Sequence, residues 1–485
     1  MKRLPSHQRD FFSRVYLSAF ENPFSASRLA ADASATGLSA ADGPDSLLDA
    51  LLAKLDAELR TLAGGAPLDV RDFSYDDACL VTIALLFQVF HRHRRELDRY
   101  ILAQSASPGG PLPAPCAAAM FDELRAAGFP REEAEKCVAV LFQLRRAFHF
   151  IHNGLQGDCP SMRALRVDLW NAVFTCDTHL YLDCLWNRME DFSTLLLGET
   201  GTGKGAAAAA LGRSGFIPYL PDRRTFAESF LDAFLPINLS EFAEGLIESE
   251  LFGHRKGAFT GAIGDHEGAF ARCSRHGAVF LDEIGDVSVP VQTKLLRVLQ
   301  ERVFSPVGGH RTQRFSGRII AATHQDLAQR RADGRFRNDF YYRLSSCSLR
   351  LPPLRKRLAE DPGELRLLLG ETVRRLVGES DGDLVLRIEE ALRRDLPADY
   401  PWPGNVRELE QAARSVLLTG GYAGEAPVHP ASADPGLARL LDGSLTLAEA
   451  DAWYCRRQFE RLGGYGAAAK RLGVDWRTVK QKMGK

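Results

Sequence analysis

The sequence holds 485 residues, with 61 Lys and Arg against 62 Asp and Glu, and a formal net charge of −1. That length exceeds what one hydrophobic core usually serves and predicts about three domains, while the balanced charge excludes a global polyanion-binding surface, so any nucleic-acid site must be local. The longest apolar run, around Leu80 to Phe90, is far shorter than the roughly 20 residues of a membrane span, and the nine cysteines form no C-x-x-C pair. With no signal peptide at the start, these features predict a soluble, cytoplasmic protein with reduced thiols and no membrane partner.

Residues 1–154 read as an all-helical module of unknown input. Leu47, Leu48, Leu51, Leu52 and Leu55 share one helical face, and further helices are expected over 76–102 and 131–150. The basic run His91 to Arg95 suits a solvated helix C-terminus, His149 and His152 sit on an apolar helix, and 105–115 is loop-like. A helical pattern over 161–189 then leads into the apolar strand Thr194 to Leu197.

After that strand comes Gly198-Glu199-Thr200-Gly201-Thr202-Gly203-Lys204, followed by an alanine-rich helix from Ala206 to Leu211. Strand, glycine loop and helix make a P-loop: glycines turn backbone N–H groups toward a polyphosphate, and Lys204 adds a charge for the outer phosphates. Gly205 replaces the usual Ser or Thr, so a carboxylate elsewhere must hold Mg²⁺. Ile237 to Leu239 reads as a short strand that places Asn238 near the nucleotide. Gly257-Ala258-Phe259-Thr260-Gly261-Ala262 has small residues that do not bury Phe259 locally, which favours a mobile contact loop.

Ala278 to Glu283 is an apolar strand ending in two carboxylates, with Asp282 suited to Mg²⁺ and Glu283 to polarising water. Arg318 to His324 is another strand; its terminal Thr323 and His324 fit either a γ-phosphate sensor or a plain polar turn. Arg337 and Arg343 lie in an arginine cluster, suited to transferring phosphoryl charge from a neighbouring subunit or to surface pairing. Residues 358–420 read as helical around a Pro-Gly turn, with Asn405 as a helix cap and Arg407 in the first turn. A Gly, Ala and Pro-rich linker over 421–443 precedes the last domain, 444–485. There, Lys470, Arg471, Asp475, Trp476, Arg477, Thr478, Lys480, Gln481 and Lys482 fall in a helix, glycine turn, helix pattern, and Tyr465 to Lys485 carries six basic residues against one acid.

Together these motifs resemble the bacterial enhancer-binding proteins, AAA+ ATPases that activate sigma-54 RNA polymerase. The resemblance spans about 155–417 and 444–485, and its most specific part is the 257–262 signature loop. It implies an α/β P-loop subdomain (155–357), a helical lid (358–420) and a Fis-type helix-turn-helix. It implies ATP and Mg²⁺ as cofactors, Arg337 and Arg343 as fingers acting in trans, Arg407 as sensor II, and Asn238 as the switch partner of Glu283. Its implied partners are sigma-54 RNA polymerase, double-stranded enhancer DNA and copies of itself, with a hexamer as the expected ring. His324 stands where Asn is usual, Arg255 where Glu is common, and the 204–238 interval suggests an insertion around 218–234. Two other readings are an AAA+ remodeller of another client and a DNA-binding repressor with an inactive ATPase.

Overall fold

The computed structural model describes residues 1–65, 67–379, 381–424, 439–440 and 443–483. They form two compact units, Met1–Tyr422 and Ala423–Lys485. Most of the expected linker 421–443, and Lys485, lie outside the described residues.

The first unit is built on a five-stranded parallel sheet. Its strands are β1 (Thr194–Leu197), β4 (Phe234–Asn238), β5 (Ala278–Asp282), β8 (Arg318–Thr323) and β9 (Cys347–Arg350), in the order β4-β5-β8-β1-β9. Continuous apolar runs suit central parallel strands covered on both faces, and Leu195, Leu196, Val279, Leu281 and Ile320 are fully buried. Register pairs Leu197 with Thr323 and Asn238 with Asp282, which brings the polar C-terminal ends of four strands to one edge. Two small antiparallel hairpins join β2 (Tyr219–Leu220) to β3 (Thr225–Phe226) and β6 (Val303–Phe304) to β7 (Gln313–Arg314).

Ahead of the sheet stand α1 (Ser6–Phe20), α2 (Ala26–Thr36), α3 (Pro44–Ala63), α4 (Tyr75–Arg92), α5 (Arg94–Ala106), α6 (Pro115–Ala126), α7 (Arg131–Gly154), α8 (Pro160–Phe174) and the single turn α9 (Thr178–Leu180). The one helix expected over 76–102 is two, broken at His93, whose ψ of 3° leaves the helical range. The basic run does end a helix, with Arg92 exposed, and the break brings Arg92 and His93 onto Glu123 of α6, each at 2.7 Å.

The insertion expected around 218–234 is the β2-β3 hairpin, and it completes the core of the N-terminal helices. Phe226 stacks on Phe142 of α7 with ring centroids 4.0 Å apart, Ala114 N donates to Arg224 O at 2.9 Å, and Thr225 Oγ1 donates to Leu112 O at 2.8 Å. The helix after the P-loop, α10 (Lys204–Gly212), is joined to α7 at its far end. Fully buried Arg146 donates to the carbonyls of Arg213 (2.6 Å) and Gly215 (2.7 Å), and Gln143 Nε2 donates to that of Ser214 (2.9 Å). A cation at this end also suits the negative pole of the helix dipole, and burial pushes the Arg146 guanidinium down to about 9.

Helices Leu354–Glu360, Glu364–Val377, Gly382–Asp395 and Asn405–Thr419 follow the sheet around an apolar core that includes Leu369, Ile388 and Leu409. The buried pair Arg357–Glu364 reaches back to the segment after α7, where Arg357 donates to Gln156 O and Glu364 accepts from Asp158 N.

In the second unit, helix Leu447–Leu462 starts with a Thr446–Glu449 capping box. Helices Tyr465–Leu472 and Trp476–Lys482 meet at Gly473, whose φ of 67° is one that glycine adopts readily. Cys455, Ala468, Ala469 and Val479 form its small core.

Candidate functional site

The carboxyl edge of the sheet gathers the candidate residues, at the place where an open parallel sheet binds its ligands. Gly201 and Gly203 take φ of 78° and 97°, and the loop they shape leads directly into α10 at Lys204. Lys204 is 7% exposed and donates to the carbonyls of Gly198 (2.9 Å) and Glu199 (3.0 Å). Burial lowers its pKa, opposed by the carboxylates of Glu283 and Asp282. Thr202 Oγ1 closes the loop on Glu199 O at 2.8 Å. A side chain at Gly205 would meet nothing within 4 Å, so nothing in the structure explains glycine there.

Asp282 ends β5, and burial, then the neighbouring Glu283, raises its pKa. Glu283 adopts a left-handed φ of 56°, an uncommon conformation for a side-chain-bearing residue that turns the chain sharply off the strand. Its carboxylate bonds His324 Nδ1 at 2.7 Å. Asn238 does not reach it: that side chain accepts from Ser240 N and donates to Glu241 at 2.9 Å. Asp286 was not anticipated, yet Glu283, Asp286 and His324 each bring a ligand atom within 4.8 Å of the others. Gln325 Nε2 links Asp286 and His324.

The helical segment after residue 400 sits directly on the P-loop. A Cβ on Gly201 would lie 2.1 Å from Gly404 O and 3.1 Å from Arg407 Cβ, so only glycine admits this approach. Val406 N donates to Gly201 O at 3.1 Å. Asn405 is not the helix cap expected for it; Gly404 holds that position. Its buried amide donates to Thr200 O (3.0 Å) and Glu199 (3.2 Å) and accepts from Leu354 N (2.7 Å). Arg355 adds a pair to Glu199 at 2.5 Å. Glu199 therefore connects the loop to Arg355 and Asn405 of the helices that follow the sheet, which its motif position alone does not reveal.

Arg337 and Arg343 flank helix Asn338–Leu344 at its start and near its end. Arg337 pairs with Asp339 at 2.7 Å and donates to Thr293, while Arg343 is exposed.

The 257–262 loop tops a narrow ladder. His254 and His266 exchange backbone bonds of 3.0 and 2.9 Å, Gly257 N donates to Ala262 O at 2.9 Å, and Asp265 holds both Lys256 N and the Arg255 guanidinium. Gly257 and Gly261 turn at φ of 81° and 101°. Phe259 packs its ring against His254 at 4.9 Å yet stays 37% exposed, and Ile263 beside it is 86% exposed.

Residues 185–350 match the Sigma-54 interaction domain. The transcriptional regulatory protein ZraR of Klebsiella oxytoca is 38% identical over 336 residues, 68% of each chain. The chain belongs to the sigma-54-dependent activator family. It is by family an AAA+ ATPase of transcription activation. It also resembles the Nif-specific regulatory protein of Azotobacter vinelandii, 37% identical over 60% of this chain and 49% of that one. The DNA-binding transcriptional regulator NtrC of Proteus hauseri is 42% identical over 46% and 43% of the two chains.

In the second unit, Lys470, Arg471, Arg477, Lys480 and Gln481 are exposed and Trp476 is 46% exposed. Asp475 caps the last helix by accepting from Arg477 N at 2.8 Å, Thr478 lies in that helix, and Lys482 is bonded to Asp451.

Proposed function

We propose that this activator binds enhancer DNA through its second unit and assembles a ring, a hexamer by family expectation, whose ATP turnover moves the 257–262 loop against sigma-54 at a closed promoter. The observation that supports this most is one edge bearing Lys204, Asp282 and Glu283 under Arg407, in a chain whose exposed Phe259 loop falls within the sigma-54 match.

The residues present fit a nucleotide triphosphate. Lys204 is a buried cation that donates to two carbonyls, the space beside Gly203 and Gly205 is open, and two carboxylates stand opposite. Gly198 to Lys204 would cradle the phosphates of ATP, with Gly205 opening the helix behind them, and Arg407 would read them from the lid. Asp282 would hold Mg²⁺, which supplies charge neutralisation on the phosphate oxygens when bound. Glu283 would orient the attacking water while His324 Nδ1 holds its Oε2, and Asn238 is the family partner that would receive it in the switch. Arg337 and Arg343, near the two ends of one exposed helix, would complete a neighbour's site. Lys470, Arg471, Arg477, Thr478, Lys480, Gln481 and Lys482 supply phosphate and base contacts, with Trp476 beside them and Asp475 fixing the start of their helix.

Functionally, we read 1–154 as the regulatory module, 155–357 and 358–420 as the two ATPase subdomains, 421–443 as a linker and 444–485 as the DNA-binding domain, in a cytoplasmic protein. Among the described residues no helix is long and apolar enough to cross a membrane.

Open-complex formation by sigma-54 holoenzyme on a supercoiled template tests the reading. ATP-dependent open complexes are expected, lost in Thr260→Ala while ATP turnover remains. ATP turnover without any open complexes on sigma-54 promoters would overturn it and favour another client.

A further inference from the structure

The N-terminal helices enclose a cavity of about 1140 Å³ that the nucleotide chemistry does not use. Two helix stripes form its long walls. On α4 the lining residues run from Cys79 through Ile83 and Leu86 to His91, and on α7 from Glu133 through Val140 and Leu144 to Arg145, each recurring at i, i+3, i+4, i+7. Each stripe covers thirteen residues, about 18 Å at the helical rise. The stripes run in the same direction. At one end Arg145 acts on His91; at the other Asp183 acts on Cys79, and Lys136 donates to Leu182 O at 2.7 Å. Aromatic side chains line the remaining side, with Phe24 stacked on Phe148 at 5.3 Å and Phe20 on His179 at 3.5 Å.

The trough is electrically polarised. At the Cys79 end stand the acids Asp183 and Glu133 together with Lys136, which is committed to Leu182 O and to the Trp186 ring. At the His91 end stand Arg28, Arg94 and Arg145, and burial together with these three cations holds His91 neutral, with its pKa lowered to about 3. Arg28 is paired to Asp32 at 2.9 Å and Arg145 to Asp98 at 2.6 Å. Arg94 has no carboxylate partner among the described residues. Arg94, partly exposed and outside any described ion pair, can seat one anionic group.

We propose that this trough binds an elongated apolar molecule ending in a single carboxylate, with the carboxylate on Arg94 and the chain lying along Ile83, Leu86, Val140 and Leu144. The cavity is of the order of size that small-molecule sites reach, and its long apolar walls suit an extended chain more than a compact one. The site stands independently of the ATPase reading.

Calorimetric titration of the purified full chain with dodecanoate and with dodecanol tests it. Dodecanoate is expected to bind saturably at one site per chain. Arg94→Gln should weaken dodecanoate by about tenfold or more while leaving dodecanol unchanged, which also shows that the variant is folded. Ile83→Trp, which obstructs the chain's path along the α4 wall, should weaken both. Equal dodecanoate binding by wild type and Arg94→Gln would overturn the proposal. So would undiminished binding by Ile83→Trp, or failure of both probes on the wild type, which would leave the trough to a partner helix.

Discussion

The two ends of α10 are built from opposite chemistry. At Lys204 the helix opens onto a glycine loop with left-handed turns and a cation facing carbonyls, an arrangement suited to an incoming anion. Just past Gly212 the chain is sealed by a buried guanidinium and an amide from α7, which occupy the carbonyls of residues 213–215. One end is shaped to accept a ligand and the other is already filled by the protein itself. A nine-residue helix thus connects the nucleotide loop to the N-terminal module directly, and the β2-β3 hairpin leaving it is part of that module's core.

If the loop end is the catalytic one, Glu283→Gln should show the largest effect, about a thousandfold loss of ATP turnover in a phosphate-release assay with nucleotide binding retained. Turnover within tenfold of wild type would break the assignment. At the sealed end, Arg146→Ala leaves two buried carbonyls without a donor and should lower unfolding free energy by about 3 kcal/mol, read by denaturant melts. A neutral result would mean that α7 does not clamp α10.

The module's own pH dependence sharpens the comparison further. The folded pKa of His91 is depressed from 6.5 to about 3, so its contribution is fully present above pH 6.5 and is lost as pH falls through that window toward 3. His91→Phe should remove up to about 1.4 kcal/mol per pH unit of that acid-side loss. Stability–pH curves that coincide for the two proteins would refute it. The smallest effect belongs to Arg355→Ala: its pair with Glu199 is about half exposed, so stability should change by less than about 1 kcal/mol. A much larger loss would mean that this pair, and not buried Asn405, holds lid to loop.

The loop end was legible in the sequence because its parts are short and local. Gly198 to Lys204, the Asp282-Glu283 strand end and Gly257 to Ala262 each specify a turn or a strand terminus within a few residues. The sealed end was not, because it depends on pairings across the chain. Nothing in Arg146 itself announces two carbonyls about 70 positions away, and Asn405 looks like a cap until Thr200 and Leu354 are folded against it. The break at His93 escaped for the same reason: residues 76–102 have unbroken helical character, and only Glu123 on another helix explains why the chain turns. The apolar run around Leu80 to Phe90 was visible, but neither the face it presents nor the matching stripe on α7, which makes a trough, was.

The central claim is that nucleotide state governs the loop that meets sigma-54. Its most direct test is binding of the purified full chain to sigma-54 in ADP with a γ-phosphate transition-state mimic, against ADP alone. The account predicts a stable complex only with the mimic, abolished by Thr260→Ala. No complex in either state, from protein shown to bind nucleotide and assemble, would contradict it.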